Sequence, residues 1–284
     1  MNRRIAAALS ALCVAVPFAI VAQPALAQAT GAAARAAPPA AQKKSVPRAP
    51  NGKPDLSGIW IITSALPLLE GEQALAAARA ADQATGRPPP APAEPPPYKP
   101  EAEAKRQQFL ARRGIDDPMG RCLLTGVPRI QYRPLPLEIV QLPDRVIILY
   151  EIHHAFRIIP TDGRGHPDDL EPSYLGDSIA HWDGDTLVVD VTGFNDKTWL
   201  AGVGTIHSEQ LRVTERYTRD TFDTIRYQVT MEDPVVFTKP WHMEESFRLR
   251  PNERIREYEC IENNEDIARF EKQLREDPLY RESR

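Results

Sequence analysis

The chain is poor in cysteine, with three in 284 residues, at positions 13, 122 and 260. They form no CxxC pair, so neither a thioredoxin-like redox site nor a zinc knuckle is supported. Basic residues are not in excess: 35 Lys and Arg stand against 39 Asp and Glu, a net charge of −4 at neutral pH. No basic stripe or nucleic-acid motif stands out, which argues against nucleic acid as a partner. There is no HExxH pattern, no GxSxG nucleophile elbow and no glycine-rich phosphate loop. The histidines at 153, 154, 166, 181, 207 and 242 show no ligand spacing, so no metal and no cofactor are expected. There is also no internal repeat.

The N-terminus has the composition of an export signal. Arg3 and Arg4 give a positive start, Ile5 to Ala22 is apolar, and Ala25-Leu26-Ala27 fits a small-x-small cleavage site. Cleavage is expected after Ala27, with Ala27-Gln28-Ala29 as a second site. An uncleaved anchor is the alternative, but the apolar run is short for a span. The protein is therefore expected in the periplasm or outside the cell, with no membrane span after cleavage. Cys122 and Cys260 remain after cleavage. An even count in an exported chain points to a disulfide, with two free buried thiols as the alternative.

Residues 28–50 are rich in Ala, Pro and Lys and are expected to form a disordered tether. Residues 51–284 are expected to form one domain with a helical and Pro-rich insertion at about 67–118. Within it, 70–84 is helix-prone, Pro88-Pro89-Pro90 and Pro95-Pro96-Pro97 bound an extended segment, and Glu101 to Arg113 reads as a second helix. Tyr98, directly after the prolines, gives that segment a side chain with which to lie against the domain.

The rest alternates in the manner of short strands: 59–63, 129–133, 137–142, 145–151, 153–160, 176–182, 185–192, 208–218, 223–231, 242–250 and 254–262. No long helix separates consecutive strands, so a parallel α/β sheet is unsupported. Glu265 to Arg275 reads as a closing helix. The Gly58-x-Trp60 pattern resembles the start of the lipocalin barrel, where the glycine permits a bend and the tryptophan closes the floor. The fold expected is mainly β: a single antiparallel calycin- or lipocalin-like β-barrel with flanking helices.

The stretch from Gly176 to Asp190 carries the densest pattern. Asp183-Gly184 predicts a type I′ hairpin turn. One face of that hairpin then holds Ser178, Ala180, Trp182, Leu187, Val189 and Val191. The other holds Asp177, Ile179, His181, Thr186, Val188 and Asp190. Two carboxylates and an imidazole among aliphatic side chains suggest a polar wall facing a cavity, although the first face is the more apolar and competes for the core. Further candidates follow from local setting. Arg157 could hold a carboxylate or phenolate, or sit in a structural ion pair. His154 points opposite to His153 in an extended strand. Arg164 and His166 lie on the loop Asp162-Gly163-Arg164-Gly165-His166-Pro167, expected at the rim. Glu215 shares a face with Leu211, Val213 and Tyr217, so it is either buried or beside a partner. Trp182 and Trp199, with His207, would suit an aromatic ligand.

Three runs carry a resemblance: Asp162 to Pro167, Gly176 to Asp190, and Gly193-Phe194-Asn195-Asp196 with Thr198-Trp199-Leu200. Together with His207-Ser208-Glu209 and Glu215-Arg216-Tyr217, they resemble a family of uncharacterised exported bacterial proteins, over about residues 50–265. That family usually has Glu at the position of Asp183. The resemblance implies export and a compact β domain, and no catalytic residue. The function expected is binding of a small hydrophobic or aromatic molecule in the periplasm. In a catalytic version, such as a lyase, isomerase or cofactor-free hydrolase, His181 is the base, Asp177 or Asp190 orients it, Arg157 holds an anion and Glu215 is the acid. A non-catalytic carrier and an envelope interaction protein are the alternatives. A dry cavity would favour the carrier, a cavity of titratable groups the enzyme, and a filled barrel with an exposed apolar patch the interaction protein.

Overall fold

Side chains that alternate between apolar and polar after Pro136 fold the chain there into a succession of strands. The structure, a computed structural model, describes residues 44–63, 95–112, 115–202, 204–262 and 264–276. Among these are nine strands: β1 (Gly58–Ile62), β2 (Leu137–Gln141), β3 (Arg145–Tyr150), β4 (Phe156–Pro160), β5 (Asp177–Asp183), β6 (Thr186–Thr192), β7 (Arg212–Thr221), β8 (Thr224–Glu232) and β9 (Trp241–Leu249). All pairs are antiparallel, in the order β4-β3-β2-β1-β9-β8-β7-β6-β5. Every ladder but one joins strands consecutive in sequence. The exception sets Trp60 of β1 opposite Leu249 of β9 and rolls the meander into a nearly closed barrel. A seam without a ladder remains between β4 and β5. The expected antiparallel barrel with flanking helices is thus the fold, with α1 (Pro100–Ala111) before most of the strands and α2 (Glu265–Glu276) after them. Among the described residues, no helix is long and apolar enough to cross a membrane.

Some segments differ from expectation. The export signal and the helix-prone stretch 70–84 lie outside the described residues. The last residues of the expected tether are ordered, because Arg48 forms a two-pronged ion pair with Asp185 at 2.6 and 2.7 Å. Tyr98 lies against the domain, stacking on Phe237 at 5.2 Å and donating to the Ile206 carbonyl at 3.1 Å. The expected strand 129–133 is a 3₁₀ turn, Arg129–Tyr132, closed by Pro128 O accepting from Gln131 N. The expected strand 254–262 does not form, since β8 and β1 already occupy both edges of β9.

That 3₁₀ turn explains how the bore is filled. Residues 125–132 are buried throughout. They thread closely past the Tyr174 backbone and the Thr198 side chain: a Cβ on Gly126 would come within 2.6 Å of Thr198 Oγ1 and 2.8 Å of the Tyr174 carbonyl. The segment then delivers Gln131 and Tyr132 among the inward side chains of the strands. Trp60, Tyr132, Tyr217, Tyr227 and Phe247 are all fully buried there. Trp60 donates from Nε1 to the Leu56 carbonyl at 2.9 Å. The Arg219 guanidinium lies 5.0 Å from its ring and donates to the carbonyls of Asp55 and Phe222. Trp60 is thus buried in the core with its indole nitrogen satisfied.

The β5–β6 hairpin turns one residue later than expected. Asp183 pairs with Thr186, so Gly184 and Asp185 are the central residues. Gly184 has φ +59° and Asp185 has no positive φ, the pattern of a type II′ turn in place of I′. The move changes the register by two, so the two faces keep the predicted membership. A Cβ at Gly184 would meet nothing within 4 Å, which leaves only the backbone penalty. Gly184→Val is therefore expected to lower stability by about 1 kcal/mol or more, seen as a lower urea midpoint with unchanged slope.

Candidate functional site

The apolar face of the β5–β6 hairpin is the one turned inward. Ser178, Ala180, Leu187, Val189 and Val191 are buried. The aliphatic face wins because desolvating two aspartates costs more than leaving Ile179 half-buried on the outer face. The expectation that Asp177, His181 and Asp190 share a cavity with Arg157, His154 or Glu215 is thereby corrected: all three lie on the outer face. His181 is exposed. Asp177 accepts from His166 Nδ1 at 2.5 Å, and Asp190 pairs with Arg212 at 3.2 Å, with His166 Nε2 3.6 Å away. His166 thus fastens its loop to the barrel wall. Arg164 turns to Asp162 in the same exposed loop, and its hydrogen bonds bring the Asp162 carboxyl down to about 2.

Inside the bore, two candidates chosen separately from the sequence meet. Arg157 of β4 donates from Nη2 to Glu215 Oε2 of β7 at 2.6 Å and to Ser178 Oγ of β5 at 2.8 Å. The other carboxylate oxygen, Glu215 Oε1, accepts from Tyr217 and Tyr227 hydroxyls at 2.9 Å each and from Gln131 Nε2 at 3.2 Å. Gln131 Nε2 also reaches Tyr150 and Tyr217 hydroxyls at 2.9 and 2.7 Å. Burial pushes the tyrosine phenols up, Tyr150 to about 12 despite the opposing pull of Arg157, and Tyr217 and Tyr227 further with Glu215 beside them. They are therefore neutral donors. Burial works against the Arg157 charge, but Glu215 and the tyrosines hold its pKa well above the ordinary value. A carboxylate with both oxygens so engaged is poorly suited to deliver a proton. Arg157 Nη1, Gln131 Oε1 and Tyr132 OH have no hydrogen-bond partner among the described residues.

Outside the bore, a groove of about 540 Å³ opens beside the start of β4. Its walls are the 122–124 loop, the β3–β4 turn and the 258–261 segment, with Leu124, Ala155, Phe156, Leu175, Tyr258 and Ile261 supplying apolar surface. The Cys122–Cys260 disulfide, formed as the even count suggested, ties two of these walls together. His153 and His154 form the third. The strand expected over 153–160 begins only at Phe156, because Ile152–His154 is a 3₁₀ turn. His153 has φ +59° and His154 φ +48°. Two successive left-handed residues with branched ring side chains cost of order 1 kcal/mol or more each. Hydrogen bonds hold the turn: His154 Nε2 accepts from Tyr258 N at 3.3 Å, and Glu151 Oε2 from Arg256 N at 2.9 Å. His153 Nε2 is buried with no partner among the described residues. Burial, and after it Arg133, lower the His153 pKa.

The remaining candidates lie elsewhere. Trp182 is half-buried against the core. Trp199 is packed between Phe109, at 5.3 Å, and the Arg129 guanidinium, at 5.9 Å. His207 borders a second depression of about 530 Å³ with Glu101, Lys105, Asp196 and Glu209. Its ring is spent on structure: Nδ1 donates to the Ser208 carbonyl at 3.0 Å, so Nε2 is left to accept from Thr198 at 2.7 Å. Sequence reasoning missed Gln131, Tyr132, Arg133 and Tyr258, which lie in segments read as strands or just beside them. No family model, curated protein or solved structure matches the chain.

Two outcomes follow from these charges. Arg157→Met leaves the Glu215 charge buried without its cation and is expected to cost roughly 3–5 kcal/mol. Adding Glu215→Leu should restore part of that, both read from urea unfolding. The second concerns acid. Burial lowers the His207 pKa below its ordinary 6.5, with Ser208, Asp233 and Asp196 opposing. The unfolded chain then takes up protons first, so stability is intact above about pH 6.5 and falls as pH drops below it. His153 contributes with the same sign. His207→Gln should flatten the decline in melting temperature between about pH 7 and pH 5.

Proposed function

We propose that this protein is an exported carrier that binds a small hydrophobic or aromatic molecule in the groove beside the Cys122–Cys260 disulfide. The observation that carries the reading is where space and engaged groups lie. Aromatic side chains and the saturated Glu215 carboxylate occupy the bore, whereas the groove offers about 540 Å³ beside apolar walls. That volume is in the range of small-molecule sites. A carrier is favoured over the catalytic version expected from the sequence because the residues assigned to that chemistry lie away from the groove, Glu215 in the bore and Asp177, His181 and Asp190 on the outer wall. The signal-like N-terminus and a disulfide, which persists in oxidising compartments, support a periplasmic or secreted location.

A second reading, an envelope interaction protein, draws on Phe156 and Ile158. They stand on the outer face of β4, 59% and 49% exposed, close to Ile261 at 66%. Titration with the apolar dye N-phenyl-naphthylamine separates the two. The carrier predicts saturable binding at one site per chain, weakened about tenfold or more by Phe156→Ser, the worth of one buried phenyl ring. Absence of saturable binding, with a self-association that Phe156→Ser abolishes, would favour the second reading.

A further inference from the structure

The two sulfurs at the groove join segments that the barrel itself does not use. Cys122 precedes β2, and Cys260 follows the end of β9 at Leu249. The ladders therefore connect the nine strands whether or not the disulfide is closed. The two walls differ in what else holds them. The Cys122 side is fixed without its sulfur: Cys122 N donates to the Met119 carbonyl at 2.9 Å and Leu123 N to the Pro118 carbonyl at 3.1 Å. Arg129 grips both oxygens of Asp117 at 2.7 and 2.6 Å, and residues 125–132 are buried. The Cys260 side is a strap. Residues 251–262 join no ladder, and all but Ile255, Tyr258 and Cys260 are exposed. Two backbone amides of the strap reach the β3–β4 turn, Arg256 N to Glu151 and Tyr258 N to His154, the second long at 3.3 Å. α2 follows and lies beside the 3₁₀ turn Pro118–Arg121; at 12 residues it is marginal without such support. Both cysteines are half-buried and line the groove, so a reductant can reach the bond from there.

We propose that the Cys122–Cys260 disulfide is a redox latch on the groove: the oxidised protein holds its ligand, and reduction by a dithiol frees the strap and releases the ligand. This rests on the groove reading above. One thiolate of the dithiol attacks a sulfur of the pair, forming a mixed disulfide and expelling the other cysteine as a thiolate. The second thiolate of the reductant then displaces the remaining cysteine. The reductant leaves as a disulfide, and two electrons and two protons stay with the protein as two thiols. Tyr258 and Ile261 are then no longer pinned opposite Leu124, and an apolar ligand loses one side of its site. The coupling is reciprocal: a ligand that favours the oxidised form makes the bond harder to reduce by the same factor.

The test titrates N-phenyl-naphthylamine into oxidised protein, into protein reduced with dithiothreitol, and into protein reoxidised afterwards. Thiol labelling checks that the reduced sample carries two thiols per chain. Reduction should weaken the dye about tenfold or more, the worth of the apolar surface lost with Tyr258 and Ile261. Reoxidation should restore it, and the near- and far-UV circular dichroism of the barrel should stay unchanged throughout. Cys122→Ser combined with Cys260→Ser should match the reduced protein. Saturating dye should raise about tenfold the ratio of reduced to oxidised dithiothreitol needed for half-reduction. Equal dye affinity in the oxidised and the fully reduced protein would overturn the latch while the groove reading stands. Loss of dye binding together with the barrel's dichroism would also overturn it, because the disulfide would then hold the whole domain. Absence of saturable binding to the oxidised protein would remove the groove reading and this inference with it.

Discussion

A carboxylate and a guanidinium 2.6 Å apart in the middle of the bore hold together what the ladders do not. The backbone closes the barrel everywhere except between β4 and β5. Across that seam run Arg157 to Ser178, from β4 to β5, and Arg157 to Glu215, from β4 to β7. Tyr217, Tyr227 and Gln131 complete the shell of donors around the carboxylate. In the low dielectric of the bore such a cluster is stable only when every charge is met, and is costly when one is not. β4 is held by its ladder with β3 along one edge and by Arg157 across the seam on the other. The groove begins beside the β3–β4 turn, where His153, His154 and Phe156 line it.

The groove is assembled from parts far apart in sequence. Cys122 comes from the loop before β2, the two histidines from the β3–β4 turn, and Tyr258 to Ile261 from the segment after β9. Leu175, just before Gly176, is the lining residue that comes from beside the hairpin with the densest sequence pattern. The left-handed pair at 153 and 154 lifts both imidazoles out of the strand alternation that would have sent one inward and one outward. A backbone held against its preference needs support from its surroundings. Tyr258 and Arg256 give that support through their backbone amides.

Much of the fold was legible because alternation within a strand survives errors in its ends. Val213, Glu215 and Tyr217 were grouped correctly on one face, and the dilemma of a buried or partnered Glu215 resolved as both at once. The hairpin faces were right even though the turn moved by one residue, since the register changed by an even number. Which face points inward was a separate matter. It depends on a balance between two aspartates and a few aliphatic side chains, and His166, brought over from a loop, lets the aspartates stay outside. The plug at 129–132 was misread as a strand because its apolar spacing is short enough to fit either form. Tyr258 carries no local signal, because its amide meets His154, 104 residues away in sequence.

The ladder between β1 and β9 has a consequence for how the chain is made. Its partners, Trp60 and Leu249, belong to the earliest and the latest strands. A chain still emerging from a ribosome or a translocation pore has no closed ring until β9 is present. Until then β1 keeps one bare edge and β8 another, and bare edges recruit strands from other chains. Closure also brings ends together over a long loop, which is entropically slow. The hazard for this protein is therefore concentrated late in synthesis, when eight strands exist and the ninth has yet to arrive.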